Sequence, residues 1–236
     1  MHAAPQWNFT TSARIIALGL AIMLVLAAFA EGIVRARLIN WSDPAQTFSQ
    51  ITASINVFKA GIMAFTCIIV LDIFVAGALL HIFYRVHTPY AILSATLRIL
   101  YVFIKGFSIV GLILAAEVYS KEPDPAFTKQ MANIAMDYLK LHHYGFAFGL
   151  IFFGLHLIFI ARILNRIPDT PTLIYWMLLL GGMAYIANSV ATVLIASEGV
   201  RFWIVGICVA PMTLSEVMFG IWLWWRRSRS FVAAYS

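Results

Sequence analysis

Charged residues are scarce in this chain, and their scarcity indicates its class. Only 11% of the 236 residues are charged and 62% are hydrophobic, a composition outside the range of soluble globular proteins. The apolar residues fall in long runs, which is typical of membrane spans. The formal net charge of +6 does not indicate a nucleic-acid partner, because the basic residues sit at the ends of apolar runs, where anionic headgroups favour them.

Cysteine and the familiar catalytic signatures are also lacking. Cys67 and Cys208 each lie inside an apolar run, so they predict neither a disulfide framework nor a CxxC metal pair. The chain has no nucleotide-binding phosphate loop, no GxSxG elbow and no HExxH motif. These absences disfavour hydrolases, kinases and metalloproteases, and we predict neither a metal nor a cofactor.

Six apolar segments are each long enough to cross about 30 Å of hydrocarbon. We therefore predict an all-α polytopic membrane helix bundle, a single domain over residues 1–236. The first segment imitates a secretory signal peptide, but we interpret it as the first span. The stretch "NWSDPAQTFSQITASINVF" is expected to begin as an amphipathic surface helix. The predicted transmembrane helices lie near 13–34, 57–84, 91–117, 139–163, 172–196 and 203–225.

The orientation of the bundle depends on arginine and lysine near the helix ends. The C-terminal "WLWWRRSRS" and the loop with Arg162 and Arg166 place dense positive charge on one side. The basic residues of the other side are partly offset by acidic neighbours. We therefore predict that both termini are cytoplasmic.

The stretch "DYLKLHHYGFAFGLIFFGLHL" raises the question of a ligand helix. Gly145 and Gly149 form a GxxxG pair in line with His142 and His156, which favours a packing seam. The two histidines are 14 residues apart, about 21 Å along a helix, which is too far to share one metal ion. Two haems would need two further axial histidines at matching depths, and the chain does not supply them.

Ionisable residues within the predicted spans are the main candidates for a site, because a charge in the membrane is costly and needs a partner. The third span has one polar face, and Asp72 and Glu216 lie near the middle of the second and sixth spans. Depths counted from the predicted helix ends bring five residues into one layer. In this layer we expect Asp72 to pair with Lys105 and Glu216 to pair with Arg98, and His156 is the fifth residue. The polar face of the third span consists of Ser94, Arg98, Tyr101, Lys105 and Ser108.

Two interpretations of this layer stay open: a structural ion network that fixes helix register, or a polar cavity that exchanges protons or holds a ligand. Under the second, the candidate catalytic residues are Asp72, Glu216 and His156. The candidate ligand-binding residues are Arg98, Lys105, Tyr101, Asn188, Tyr185 and His142. Glu31 and Arg35 form a second candidate group at the opposite membrane rim.

Several segments together resemble a bacterial family of small polytopic membrane proteins that is catalogued only as a domain of unknown function. They include "EGIVRARL", "LHHYGFAFGLIFFGLHL", "GGMAYIANS" and "LSEVMFGIWL", and the similarity runs roughly from Ala13 to Trp225. The resemblance implies a location in the bacterial inner membrane but no activity. Lys105 and His143 look less typical of the family. The matching positions are Glu31, Arg35, Asp72, Arg98, His142, Gly145, Gly149, His156 and Glu216.

Three functions fit these observations, and the sequence does not decide whether the protein is an enzyme. The first is binding or conversion of a lipophilic small molecule beside a buried carboxyl group. The second is a proton-coupled carrier, in which a homodimer would supply the half that is missing because no inverted repeat is evident. The third is a scaffold or regulatory partner within the membrane, for which GxxxG packing and short loops are suitable.

Overall fold

The computed structural model describes residues 8–121, 128–168, 170–195 and 197–226, and most of these residues are helical. No strand occurs within these ranges, so the all-α prediction is confirmed. The helices of the described part are α1 (Phe9–Leu38), α2 (Pro44–Ala53), α3 (Ile55–Phe83), α4 (Thr88–Tyr119), α5 (Thr128–Leu164), α6 (Thr172–Leu194) and α7 (Glu198–Trp225).

Six of these helices are long and apolar enough to cross a membrane, as predicted, and only α2 is not. The largest difference from the prediction is at α5, which begins at Thr128 and not near residue 139. The added turns contain polar residues, and a helix is held by its backbone hydrogen bonds whether or not its side chains are apolar. Residues 227–236, which contribute to the predicted orientation, lie outside the described residues.

The first span contains a wide helical segment that the sequence does not signal. Residues Ala28–Arg35 form a π-helix, in which each N–H bonds to the carbonyl five residues earlier. The bond from the Ala36 N–H to the Glu31 carbonyl continues this pattern. Such segments are rare and are frequently found at functional sites.

Helix α2 begins at a capped terminus. The Asp43 side chain accepts a hydrogen bond from the Gln46 N–H at 2.9 Å, and Pro44 fills the first helical position. Phe48 and Ile51 are buried along one face, and the Phe48 ring centroid lies 5.4 Å from that of Tyr119. The predicted amphipathic helix is thus present.

The chain divides into two compact units. The first comprises Met1–Ile22, Leu71–Val102 and Ala147–Ser236, and the second comprises Met23–Val70 and Phe103–Phe146. The expectation of a single domain stays a prediction.

Glycines set the helix packing in the first unit. A Cβ atom built on Gly154 of α5 would lie 2.5 Å from the Gly182 carbonyl oxygen of α6, and one built on Gly182 would lie 2.6 Å from the Gly154 carbonyl oxygen. Gly181 faces α7 in the same way, since its Cβ would lie 2.5 Å from the Ser215 Cβ. Only glycine lets the helix backbones approach this closely.

The second unit packs by the same means. A Cβ on Gly111 of α4 would lie 2.6 Å from the Tyr138 carbonyl oxygen of α5, and one on Gly145 would lie 3.0 Å from the Ser108 Cβ. Gly145 therefore packs against α4, as the GxxxG interpretation predicts. Gly149 is buried.

Candidate functional site

A buried ion pair forms the centre of the first unit. The Arg98 Nη2 of α4 donates to the Asp72 Oδ1 of α3 at 2.6 Å, and both side chains are 2% exposed. The polar face of α4 is confirmed, because Ser94, Arg98, Tyr101, Lys105 and Ser108 are all buried. Helical spacing alone brings these residues to one side of α4.

His156 of α5 continues this network and is neutral in it. The Arg98 Nη1 lies 3.1 Å from the His156 Nε2, and because a guanidinium only donates, Nε2 must accept. The ring proton is therefore on Nδ1, which lies 2.9 Å from the Ser94 carbonyl oxygen and 2.7 Å from its hydroxyl. A second proton on Nε2 would break the bond from Arg98.

The predicted ion pairs were wrong. Asp72 pairs with Arg98 and not with Lys105, and the Glu216 carboxylate accepts a hydrogen bond from Tyr185. The reason is that Arg98 and Asp72 lie at nearly the same depth from the adjoining ends of α4 and α3. Arg98 lies 10 residues after the start of α4 at Thr88, and Asp72 lies 11 residues before the end of α3 at Phe83. The sequence prediction began the third span at residue 91 and so placed Arg98 about 4.5 Å too near its end.

Tyr185 and Glu216 join α6 to α7. Their approach depends on Gly181, one turn before Tyr185, where α6 packs closely against Ser215. Both side chains are only partly buried. A partly buried carboxyl group oriented by a phenol is therefore present in the first unit.

Phe153 separates the two polar groups. Its ring centroid lies 5.1 Å from the Arg98 guanidinium carbon and 4.9 Å from the Tyr185 ring, which meets it edge-on. Tyr101 packs against the same ring at 5.0 Å. Guanidinium groups and aromatic edges both pack favourably on ring faces, so Phe153 positions Arg98 and Tyr185 together.

Lys105 and His142 belong to the second unit, where they share an aromatic pair. The Lys105 ammonium nitrogen lies 5.8 Å from the centroid of Phe65 and 5.2 Å from that of Phe146. The His142 ring stacks on Phe146 at 5.8 Å and contacts Phe65 at 5.1 Å. A cation on aromatic faces is stabilised by the ring quadrupoles.

The tautomer of His142 follows from its neighbour. The Ser108 hydroxyl donates its one hydrogen to the Lys105 carbonyl at 2.7 Å, so it accepts from the His142 Nδ1 at 3.2 Å. The His142 Nε2 is buried and has no hydrogen-bond partner among the described residues. It is thus an acceptor without a donor.

The rim group is also present, on the π-helical segment of α1. The Arg35 Nη1 donates to both carboxylate oxygens of Glu31, at 2.6 and 2.7 Å, and its Nη2 lies 3.3 Å from the His143 Nδ1. Trp41 covers Arg35, with the guanidinium carbon 5.8 Å from the ring centroid. His142 and His143 therefore have different partners, Ser108 and Arg35.

The structure places the remaining candidate, Asn188, one turn beyond Tyr185 on α6, where it is partly buried. Within the described ranges, no three His, Cys, Asp or Glu side chains are grouped so that they could hold a metal ion. The roles of all these residues in catalysis or ligand binding stay predictions.

Sequence reasoning missed two features of the site: the acceptor role of Ser94 and the close contact at Gly181. Helical spacing places Phe153 on one line with His142 and His156, but it does not show that the ring contacts Arg98 and Tyr185. The Gly181–Gly182 pair in "GGMAYIANS" is a signal that was available, because adjacent small residues favour close helix contacts on two sides.

Comparisons with known proteins identify the family only. The description "Domain of unknown function (DUF4386)" matches residues 15–226, nearly the whole chain. The searches of curated proteins and of solved structures gave no match. A six-span helical protein that matches this family over that length is a member of it: the chain belongs to the family of the domain of unknown function DUF4386.

Proposed function

We propose that this protein is a multi-pass protein of the bacterial inner membrane that binds, and converts or delivers, a lipophilic small molecule in its first compact unit. Glu216 is the group that meets the polar end of this molecule, and Tyr185 orients it. The observation that carries the proposal is the partly exposed Glu216 carboxyl group, held by the Tyr185 hydroxyl beside the Phe153 ring.

The surroundings of α7 support access from the lipid. Only 22% of its most apolar stretch is buried inside the structure, against 61% for α5. Glu216 therefore lies on the least covered of the six spans. A lipophilic molecule with a hydroxyl or amine donor would approach it without leaving the hydrocarbon.

The ion pair supports the proposal because its two charges are matched. Arg98 balances Asp72, and His156 accepts from Arg98 and lies beside the Ser94 carbonyl. Each charge of this pair already has its opposite charge, so the pair does not require a ligand. We assign a supporting role to Asp72, Arg98 and His156 and the ligand-binding role to Glu216. The same bond from Arg98 to His156 argues against a proton-coupled carrier that uses His156, because protonation would break it.

The orientation with both termini cytoplasmic is part of the proposal. Three arginines lie near helix ends on one side of the first unit. The guanidinium carbon of Arg14 lies 6.0 Å from the Trp224 ring centroid, and that of Arg166 lies 5.7 Å from the Tyr90 ring centroid. Arg226 donates to the Pro168 carbonyl at 2.8 Å. An excess of arginine near the helix ends is typical of the cytoplasmic side.

The test is mass spectrometry of small molecules that co-purify with the wild type, with Glu216→Gln and with Tyr185→Phe. We expect a defined lipophilic compound with the wild type, at least about tenfold less with Glu216→Gln because a charged hydrogen bond is lost, and an intermediate amount with Tyr185→Phe. The matched control is Asp137→Asn, whose side chain is 74% exposed and should leave the compound unchanged.

Identical bulk lipid in all four samples would overturn the proposal. The low coverage of α7 would then favour the second candidate, a scaffold or regulatory protein that packs this helix against a partner in the membrane, such as a second copy of the chain. Crosslinking between copies through α7 would support that candidate.

A further inference from the structure

A groove in the second unit lies outside every residue assigned a role above. It runs between α3 and α4 and has a volume of about 650 Å³. Its apolar floor includes Ile62, Met63 and Ile113, and its charged residues are Lys59, Glu117 and Lys121. The volume falls within the range of small-molecule sites, and the groove is open on one side.

The charged and apolar parts of the groove lie at different depths. Lys59 is in the second turn of α3, Glu117 is two residues before the end of α4, and Lys121 is two residues beyond it. Met63 and Ile113 are one turn further inside their helices, about 6 Å from Lys59 and Glu117 along the axis. The groove thus has a charged end at the helix termini and an apolar end toward the hydrocarbon.

The charged side chains of the groove are exposed. Among the residues that the structure describes, none makes an ion pair with Lys59, Glu117 or Lys121. By contrast, Lys140 on the exposed surface of α5 does reach Asp137, at 3.5 Å. The groove therefore presents two positive charges and one negative charge to an occupant.

We propose that this groove binds one phospholipid with an ethanolamine headgroup. The phosphate lies between Lys59 and Lys121, the ammonium group donates to Glu117, and one acyl chain follows Ile62, Met63 and Ile113. Each charge of the headgroup then meets the opposite charge. A choline headgroup cannot donate a hydrogen bond to Glu117, and a glycerol headgroup brings no positive charge to it.

The experiment is native mass spectrometry of the detergent-solubilised full chain after addition of phosphatidylethanolamine, phosphatidylglycerol or phosphatidylcholine with identical acyl chains. We expect the wild type to retain the ethanolamine lipid about fivefold better than the other two, as one additional interfacial charge pair would give. Glu117→Gln should remove this preference, and Lys59→Gln and Lys121→Gln should weaken all three lipids about fivefold.

The matched control is Lys129→Gln, an exposed lysine of the same unit that does not line the groove; it should leave all three lipids unchanged. The changed side chains are exposed, so the variants should fold, which a thermal unfolding curve checks. Equal retention of the three lipids by the wild type, stronger retention of the glycerol lipid, or an ethanolamine preference that survives Glu117→Gln would each overturn the proposal.

Discussion

Arg98 depends on three neighbours that satisfy different parts of its side chain. Asp72 balances its charge, His156 accepts from its second terminal nitrogen, and Phe153 covers the guanidinium face. The Nε of Arg98 is buried without a hydrogen-bond partner in the described part of the chain. The buried Arg98 charge is therefore compensated only while these three neighbours are present.

The first prediction concerns the acid. Asp72→Asn should destabilise the protein by about 3–5 kcal/mol, because it leaves the buried Arg98 charge without compensation. Thermal unfolding in detergent measures the change, with Asp137→Asn as the control, expected within about 0.5 kcal/mol of the wild type. An Asp72→Asn variant as stable as the control would contradict the assigned ion pair.

The second prediction concerns the tautomer of His156. His156→Gln keeps an acceptor for Arg98, whereas His156→Met removes it at similar volume. We expect His156→Met to be less stable than His156→Gln by about 1–3 kcal/mol, the cost of an unsatisfied buried donor. Equal unfolding temperatures for the two variants would show that Arg98 does not need this acceptor.

Residue burial could be predicted from the sequence, and residue pairing could not. The five polar positions on α4 follow from helical periodicity, which requires no knowledge of other helices. Pairing requires the depth of each residue, and an error of three residues at the start of α4 assigned Lys105 to Asp72 in place of Arg98. An error of about 4.5 Å is longer than a hydrogen bond.

At the scale of the helices, glycine positions decide which spans make close contact. Gly154 and Gly182 face each other's backbones, whereas nothing lies within 4 Å of a Cβ atom built on Gly77 of α3. Replacing glycine by alanine should therefore lower the stability of the protein at Gly154 but not at Gly77.

The third prediction tests this difference. Gly154→Ala should cost about 1–3 kcal/mol, because the α5 and α6 backbones must separate. Gly77→Ala should be neutral or stabilise the protein by about 0.4–1 kcal/mol, since alanine restricts the unfolded chain without a clash. The unfolding temperatures of the two variants, measured under the same conditions, test this prediction. A loss at Gly77 equal to that at Gly154 would show that helix packing is not the cause.

The six spans were predictable because long apolar runs are unambiguous, but the π-helical segment of α1 was not. "AFAEGIVR" has no proline and no pattern that distinguishes it from an ordinary helix. Its Arg35 contacts His143 of α5, 108 residues later in the chain. A long-range contact of this kind is absent from a local sequence pattern.

For the whole molecule, the number of spans fixes the relation between the loops. With six spans, the turns after α3 and α5 lie on one side of the membrane, and the turns after α1 and α4 on the other. The family match gives no orientation.

The fourth prediction tests the proposed orientation. In a background with Cys67→Ala and Cys208→Ala, single cysteines at Arg85 and Asn165 should be protected from a membrane-impermeant maleimide in intact cells, and those at Ser42 and Ser120 should be labelled. We expect this labelling pattern because arginine-rich loops stay in the cytoplasm. The reverse labelling pattern would place both termini outside.

The Asp72–Arg98 bond also has a consequence for how the chain enters the membrane. Each residue alone adds about 2.5–3.5 kcal/mol to the cost of inserting its helix. The two are 26 residues apart, on consecutive helices joined by a short turn. Insertion of α3 and α4 as one hairpin would let the two charges neutralise each other, and the cost of inserting both helices together would then be lower than the sum of the separate costs.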